Sequence, residues 1–216
     1  MLDAIPSRLG AWARQQSFEL RGDASGLRLQ GAALECRIER VRVDLASHLE
    51  SIDFRNFDLV TTAAFLDLVS APWLQDLVRR CAESGCAVLF ALSYDGRTEF
   101  TPSEAEDALV LKLVNRHQHT DKGFGPALGP DSAPRCVEFL RDLGYDVRTE
   151  SSDWHIDASQ PQLQQGLLAG WAGAAAVMAS AEAARIRDWC DRRLAYVEGG
   201  RSQLKVGHLD VAARLR

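Results

Sequence analysis

The sequence predicts an α/β fold with a mostly parallel sheet, on the strength of three neighbouring stretches. Phe57 to Val60 opens a short apolar run without alternation, the pattern of a strand buried on both faces, and Thr61-Thr62 closes it. Ser70-Ala71-Pro72 then begins a helix, with a capping residue ahead of a first-turn proline. Its Leu74, Leu77 and Val78 fall on one side, and Gln75, Asp76, Arg79 and Arg80 on the other. Ser84-Gly85 stops that helix, and Cys86 to Ser93 is a second buried apolar run. Strand, helix and strand make a crossover unit, and ligands of such sheets sit at the carboxyl ends of the strands. Here those ends are Thr61-Thr62-Ala63 and Ser93-Tyr94-Asp95-Gly96-Arg97.

The other elements follow in order. Leu2, Ile5, Leu9 and Trp12 lie at helical spacing within a helix over 1–18. Gly22 to Gly26 reads as a loop. Leu27–Gln30 and Leu34–Ile38 alternate as strands, and Arg40-Val41-Arg42-Val43-Asp44-Leu45 continues the alternation. His48 to Ile52 is a helical turn. Thr101-Pro102 with the acids after it starts a helix to about His117. His117 to Pro130, with three glycines and two prolines, is an irregular loop of the kind that carries function or moves. A helix over 131–143, a strand over 145–150 extended by 153–156, helices over 163–177 and 181–196, and a last strand over 203–211 complete the chain. The last strand alternates enough to be an edge or antiparallel one.

At 216 residues the chain suits a single domain, 1–216, and 46% hydrophobic residues suffice for a real core. A net charge of −5 argues against a general nucleic-acid backbone binder while leaving room for a local basic patch. Five cysteines without a C-x-x-C pair suit reduced thiols in the cytoplasm. No signal peptide is evident, and the longest apolar region, Leu167 to Ala179, is too short to span a bilayer.

The run Phe57-Asp58-Leu59-Val60-Thr61, the helix after it, and the small-residue strand ending in Tyr94-Asp95-Gly96-Arg97 resemble the fourth and fifth strands of class I S-adenosylmethionine-dependent methyltransferases. The ordered set carries the resemblance over about 39–210; no single motif is strongly specific. It implies a Rossmann-like, doubly wound, mostly parallel sheet with an antiparallel C-terminal strand, and S-adenosylmethionine as cofactor. In that family the acidic residue after the third strand and its neighbour lie beside the adenine, which maps onto Asp44 and Leu45. Asp44 as a plain turn cap is the competing reading. Thr61, Thr62 and Ala63 map to where the cofactor's methionine end meets the methyl acceptor. The family's glycine-rich turn, G-x-G-x-G, and the acidic end of its second strand have no counterpart here. The resemblance therefore implies an N-terminally truncated domain, its first strands missing, with half a cofactor site and an activity in doubt.

For the acceptor, Tyr94, Asp95, His117 and Lys122 are the substrate-binding candidates. Methyl transfer from a sulfonium is a displacement that mostly needs alignment, with a base only where the acceptor must lose a proton. Tyr94, Asp95 and His117 can each supply one, and the residues do not choose among them, so the catalytic group stays unknown. His117-x-His119 followed by Asp121 invites a metal reading, but a third ligand would have to come from elsewhere, so it is read here as a polar loop and no metal is expected. The function expected is methyl transfer to a small molecule, without nucleic-acid or membrane partners and with self-association open. A non-catalytic module that needs another chain to complete its sheet is the alternative, and a different nucleotide-binding α/β domain is a third.

Overall fold

The protein is described by a computed structural model covering residues 4–23 and 26–215. It divides into two compact units, the first ending at Ser51 and the second beginning at Ile52.

In the first unit, helix α1 (Ile5–Gln15) starts with Pro6 in its first turn and buries Ala13. It ends before Ser17, whose φ of 59° is incompatible with continuation, so it is shorter than the sequence predicts. Leu2, expected on its apolar side, lies outside the described residues. Strands β1 (Glu19–Asp23), β2 (Gly26–Gln30) and β3 (Glu35–Ile38) form a three-stranded antiparallel sheet in that order. Gly22 and Gly26, expected in a loop, instead lie in β1 and β2 on either side of the reversal. Leu27 and Leu29 supply the buried face. Residues 39–44 form no regular element, although their alternation predicts a strand. Alternation alone does not make a strand, and β3 stops at Ile38.

The second unit follows the predicted order closely. Strand β4 (Leu59–Ala63) leads to α2 (Ala71–Ser84), capped by Ser70 and stopped by Gly85 at φ 75°. Strand β5 (Ala87–Thr101), α3 (Asp107–Gln118), α4 (Ser132–Asp142), β6 (Tyr145–Ser151) and β7 (Trp154–Ile156) come next. Helices α5 (Pro161–Met178) and α6 (Ala183–Glu198) and strand β8 (Gln203–Leu215) complete the unit. The sheet order is β4-β5-β8-β6, with β7 also on β8. Strands β4 and β5 are parallel, and β8 runs antiparallel to β5, β6 and β7. The chain is thus mixed α/β, with four of its five sheet strands co-directional and the C-terminal strand reversed. That strand is interior, between β5 and β6, rather than at an edge.

Helix α4 packs against α2 and across β5, β6 and β8. A second apolar cluster joins α3, α5 and α6 through Val110, Leu113, Val114, Leu168, Ile186 and Trp189. Arg193 is fully buried there, over the Phe100 ring, and its guanidinium donates to both oxygens of Asp107 and to the Pro102 carbonyl. Among the described residues no helix is long and apolar enough to cross a membrane.

Two expectations for the central strands are corrected. β4 is not buried on both faces: it ends the sheet, and Leu59 remains 50% exposed. Strand β5 does not stop near Ser93 but runs to Thr101 through two irregularities, and this delays the following helix to Asp107. The first irregularity puts Leu92 at φ 56°, its N–H donating to Asp210 Oδ1 at 2.8 Å. At the second, the register moves from Tyr94–His208 to Thr98–Val206, so Asp95, Gly96 and Arg97 lie opposite Gly207 alone.

Candidate functional site at the carboxyl ends of β4 and β5

Where β4 ends, Ala64 adopts φ 51°, and its N–H still donates to Ala91 O at 3.0 Å. The chain then makes a 3₁₀ turn over Leu66–Leu68 that drives Asp67 inward to 9% exposure. The Tyr94 hydroxyl donates to Asn115 Oδ1 at 2.8 Å, and Asn115 Nδ2 donates to Gly96 O at 2.9 Å. His208, on β8 opposite Tyr94, is buried, with Nδ1 3.0 Å from Val206 O. A carbonyl only accepts, so Nδ1 donates in that contact. The Tyr94 and His208 rings lie edge to face at 6.2 Å, and Trp154 packs on His208 at 4.8 Å.

Burial pushes the Asp67 carboxyl above its ordinary range, against opposing pulls from its own backbone amide and from His208. Burial likewise pushes the Tyr94 phenol up to about 12. A desolvated carboxyl, an imidazole and a phenol thus influence one another electrostatically, with the carboxyl just past the carboxyl end of β4. Asp67 and His208 were not candidates from the sequence. The available signal was a lone carboxylate inside the apolar run Phe65-Leu66-Asp67-Leu68-Val69, just past a strand's carboxyl end.

Asp67→Asn tests the burial cost. The folded carboxyl titrates above its unfolded value of about 3.9, so the penalty is absent at low pH and complete above the folded value. The variant is expected to melt higher than the native chain at pH 7, with the gain vanishing near pH 3–4. A lower melting temperature at pH 7 would mean that the carboxylate is held by a charge partner.

The glycine-containing loop folds onto the same end of the sheet. Leu128 N–H donates to Val69 O at 2.8 Å, and Ser70 bridges Ala127. The Phe124 ring meets Phe65 at 5.5 Å and Trp73 at 5.3 Å, both edge to face. Asp121 Oδ1 accepts from Gly123 N at 2.7 Å and Gly125 N at 3.0 Å. Lys122 Nζ donates to His117 O at 3.1 Å and Thr120 Oγ1 at 2.9 Å, and lies 3.3 Å from His117 Nδ1. Burial, then the Lys122 charge, lowers the His117 pKa.

The sequence candidates are distributed unevenly around this centre. Tyr94 points into it. Asp95 turns away and accepts from Arg97 N at 3.0 Å and Arg97 Nε at 2.7 Å. Arg97 also reaches Asp153 at 2.9 Å. Ser151, the His208 amide, Lys205 and Arg97 together outweigh burial and hold Asp153 low, at about 2. His117 and Lys122 contact each other within the loop. Thr61, Thr62 and Ala63 form the end of the exposed strand β4. Asp44 and Leu45 belong to the first unit, in a turn where Asp44 accepts from Ala46 N at 3.1 Å and Ser47 Oγ at 3.0 Å. Among the described residues no group of three or more His, Cys, Asp or Glu could hold a metal ion.

No protein-family model matches the chain, and no curated protein is similar to it. Among solved structures, it is similar to the cyclopropane synthase MmaA2 from Mycobacterium tuberculosis, with 14% identity, a TM-score of 0.33, and coverage of 76% of this chain and 57% of that one. It is also similar to phosphoethanolamine N-methyltransferase 2 from Haemonchus contortus, in complex with phosphomonomethylethanolamine and S-adenosylhomocysteine. There the identity is 13%, the TM-score 0.30, and the coverage 76% of this chain and 35% of that one. The chain thus spans little more than half of the first and about a third of the second.

Proposed function

We propose that the chain is a methyltransferase-type domain that binds the methionine end of S-adenosylmethionine weakly and presents a small-molecule acceptor to it. The observation that carries this reading is the buried Asp67 just past the end of β4, under the electrostatic influence of His208 and itself influencing Tyr94, beside a β4–α2–β5 crossover. The resemblance of Phe57–Arg97 to the methyltransferase strands supports it. So does the reversed C-terminal strand lying beside β5.

The residues present do not fit the whole cofactor. Asp44, the carboxylate that the resemblance aligns with the adenine, already accepts from Ala46 and Ser47. No G-x-G-x-G turn follows an apolar strand anywhere in the sequence. The chain's own contribution lies on the acceptor side. Asp67, its carboxyl held above the ordinary range, takes a proton from an acceptor hydroxyl or amine, while His208 and Tyr94 orient that group. Acidic overall charge disfavours nucleic acid as acceptor.

Titration of S-adenosylhomocysteine into the labelled chain, followed by amide chemical shifts, tests the proposal. Saturable shifts confined to Thr61–Phe65 and the loop against them are expected, with a dissociation constant of about 1 mM, worth about −4 kcal/mol. Absence of shifts there at several millimolar ligand overturns the methyltransferase reading. Micromolar binding overturns the half-site. A non-catalytic partner module is the second reading, favoured by the open edge of β4 and by Phe57, 55% exposed beside it.

A further inference from the structure

Within the second unit no described strand pairs with the outer edge of β4, and the hydrogen bonds on its inner side determine which groups it presents. Ala87 N–H donates to Asp58 O at 2.9 Å, and Ala64 N–H donates to Ala91 O at 3.0 Å. In a parallel ladder the bonding residues alternate, so Asp58, Val60, Thr62 and Ala64 face β5. Leu59, Thr61 and Ala63 therefore turn their N–H and C=O groups outward, with no strand beyond them in the sheet among the described residues. Sheet edges are normally guarded by lysine, proline, a bulge or a covering element. Leu59-Val60-Thr61-Thr62-Ala63 has no charge and no proline.

We propose that this edge pairs with the same edge of a second copy of the chain, antiparallel about a two-fold axis at Thr61. The strand is complementary to itself in that register. Thr61 exchanges both backbone bonds with its counterpart, and Leu59 pairs with Ala63 at each end, so all three outward-facing residues are satisfied. Large Leu59 meets small Ala63 on one face, and Val60 meets Thr62 on the other. Asp58 falls opposite Ala64, so no like charges face each other. The Leu59, Thr61 and Ala63 side chains share a sheet face with Leu89, the register partner of Thr61, which is 39% exposed. Pairing extends that apolar strip across both copies and joins two five-stranded sheets into one. The inference stands independently of the methyl-transfer reading.

Light scattering on the full chain across 1–100 μM is the direct test, and a dimer mass is expected. Thr61→Pro removes an outward N–H and leaves the Val60 and Thr62 bonds to β5 in place, so it should yield a folded monomer. Because proline can also disturb β4, Thr61→Lys provides the second test. It should weaken the dimer at least about tenfold by setting two lysines face to face, and mixing it with Thr61→Glu chains should restore the dimer. In a Cys36→Ser background, Thr61→Cys should give a covalent dimer on mild oxidation. The paired Cα atoms would stand about 5.5 Å apart, within disulfide reach. A monomer at 100 μM overturns the proposal, as does a dimer unaffected by both Thr61→Pro and Thr61→Lys.

Discussion

An Asp107→Ala chain should lose about 3–5 kcal/mol of stability, the penalty for leaving a buried charge unpaired. Asp107 sits at the start of α3, and its carboxylate does four things there. It accepts two bonds from the guanidinium of Arg193, which is fully buried, one from Trp189 Nε1 at 2.8 Å, and one from the Glu104 amide at 2.7 Å. Removing it strands the guanidinium with the Pro102 carbonyl and the Phe100 and Tyr196 rings, none of them an anion. Denaturant unfolding measures the loss. The double variant Asp107→Ala, Arg193→Met should recover much of it, since an apolar replacement carries no uncompensated charge. A loss under 1 kcal/mol for the single variant would show that water reaches Arg193.

Gly207→Ala should cost about 1–3 kcal/mol, the usual range for forcing a methyl group into a filled space. Gly207 stands opposite the three bulged residues of β5. A Cβ there would lie 2.2 Å from Asp95 Oδ1 and 2.8 Å from Arg97 Cβ. Neither can retreat freely, because the Asp95 carboxylate is tied to the Arg97 amide and guanidinium. Thermal unfolding should fall by several degrees, at about 2–4 °C per kcal/mol for a chain of this size. Amide exchange should also quicken across 93–98, since the bulge aims Tyr94 at Asn115. A neutral effect would mean that the bulge opens without strain and does not position Tyr94.

Most of the second unit was legible from local signals. The Ser70–Pro72 start, the Gly85 stop and the apolar spacing of Leu74, Leu77 and Val78 made α2 readable, because caps and periodicity act within a few residues. The alternation of β8 left an edge strand or an antiparallel one open; the structure makes it antiparallel and interior, since strand order depends on which edges meet. The candidate centre was half legible. Tyr94 was found from its place after an apolar run. Asp67 and His208 were not, because 141 positions along the chain separate groups that only the sheet brings near each other.

By itself the sequence determined the α/β class, the β4–α2–β5 crossover, the start and stop of α2 marked by Pro72 and Gly85, and the lack of a glycine-rich cofactor turn. These are properties of dihedral preference and short-range pattern, which need no distant partner. Only the tertiary structure decided that β4 is an open edge, that residues 39–44 are not a strand, and that β5 continues through a bulge opposite Gly207. It alone also buried Asp67 and paired Arg193 with Asp107. Each of these depends on what lies across a ladder or behind a side chain. Hydrogen-bond satisfaction and desolvation are fixed by such neighbours, and neighbours in space are not neighbours in sequence.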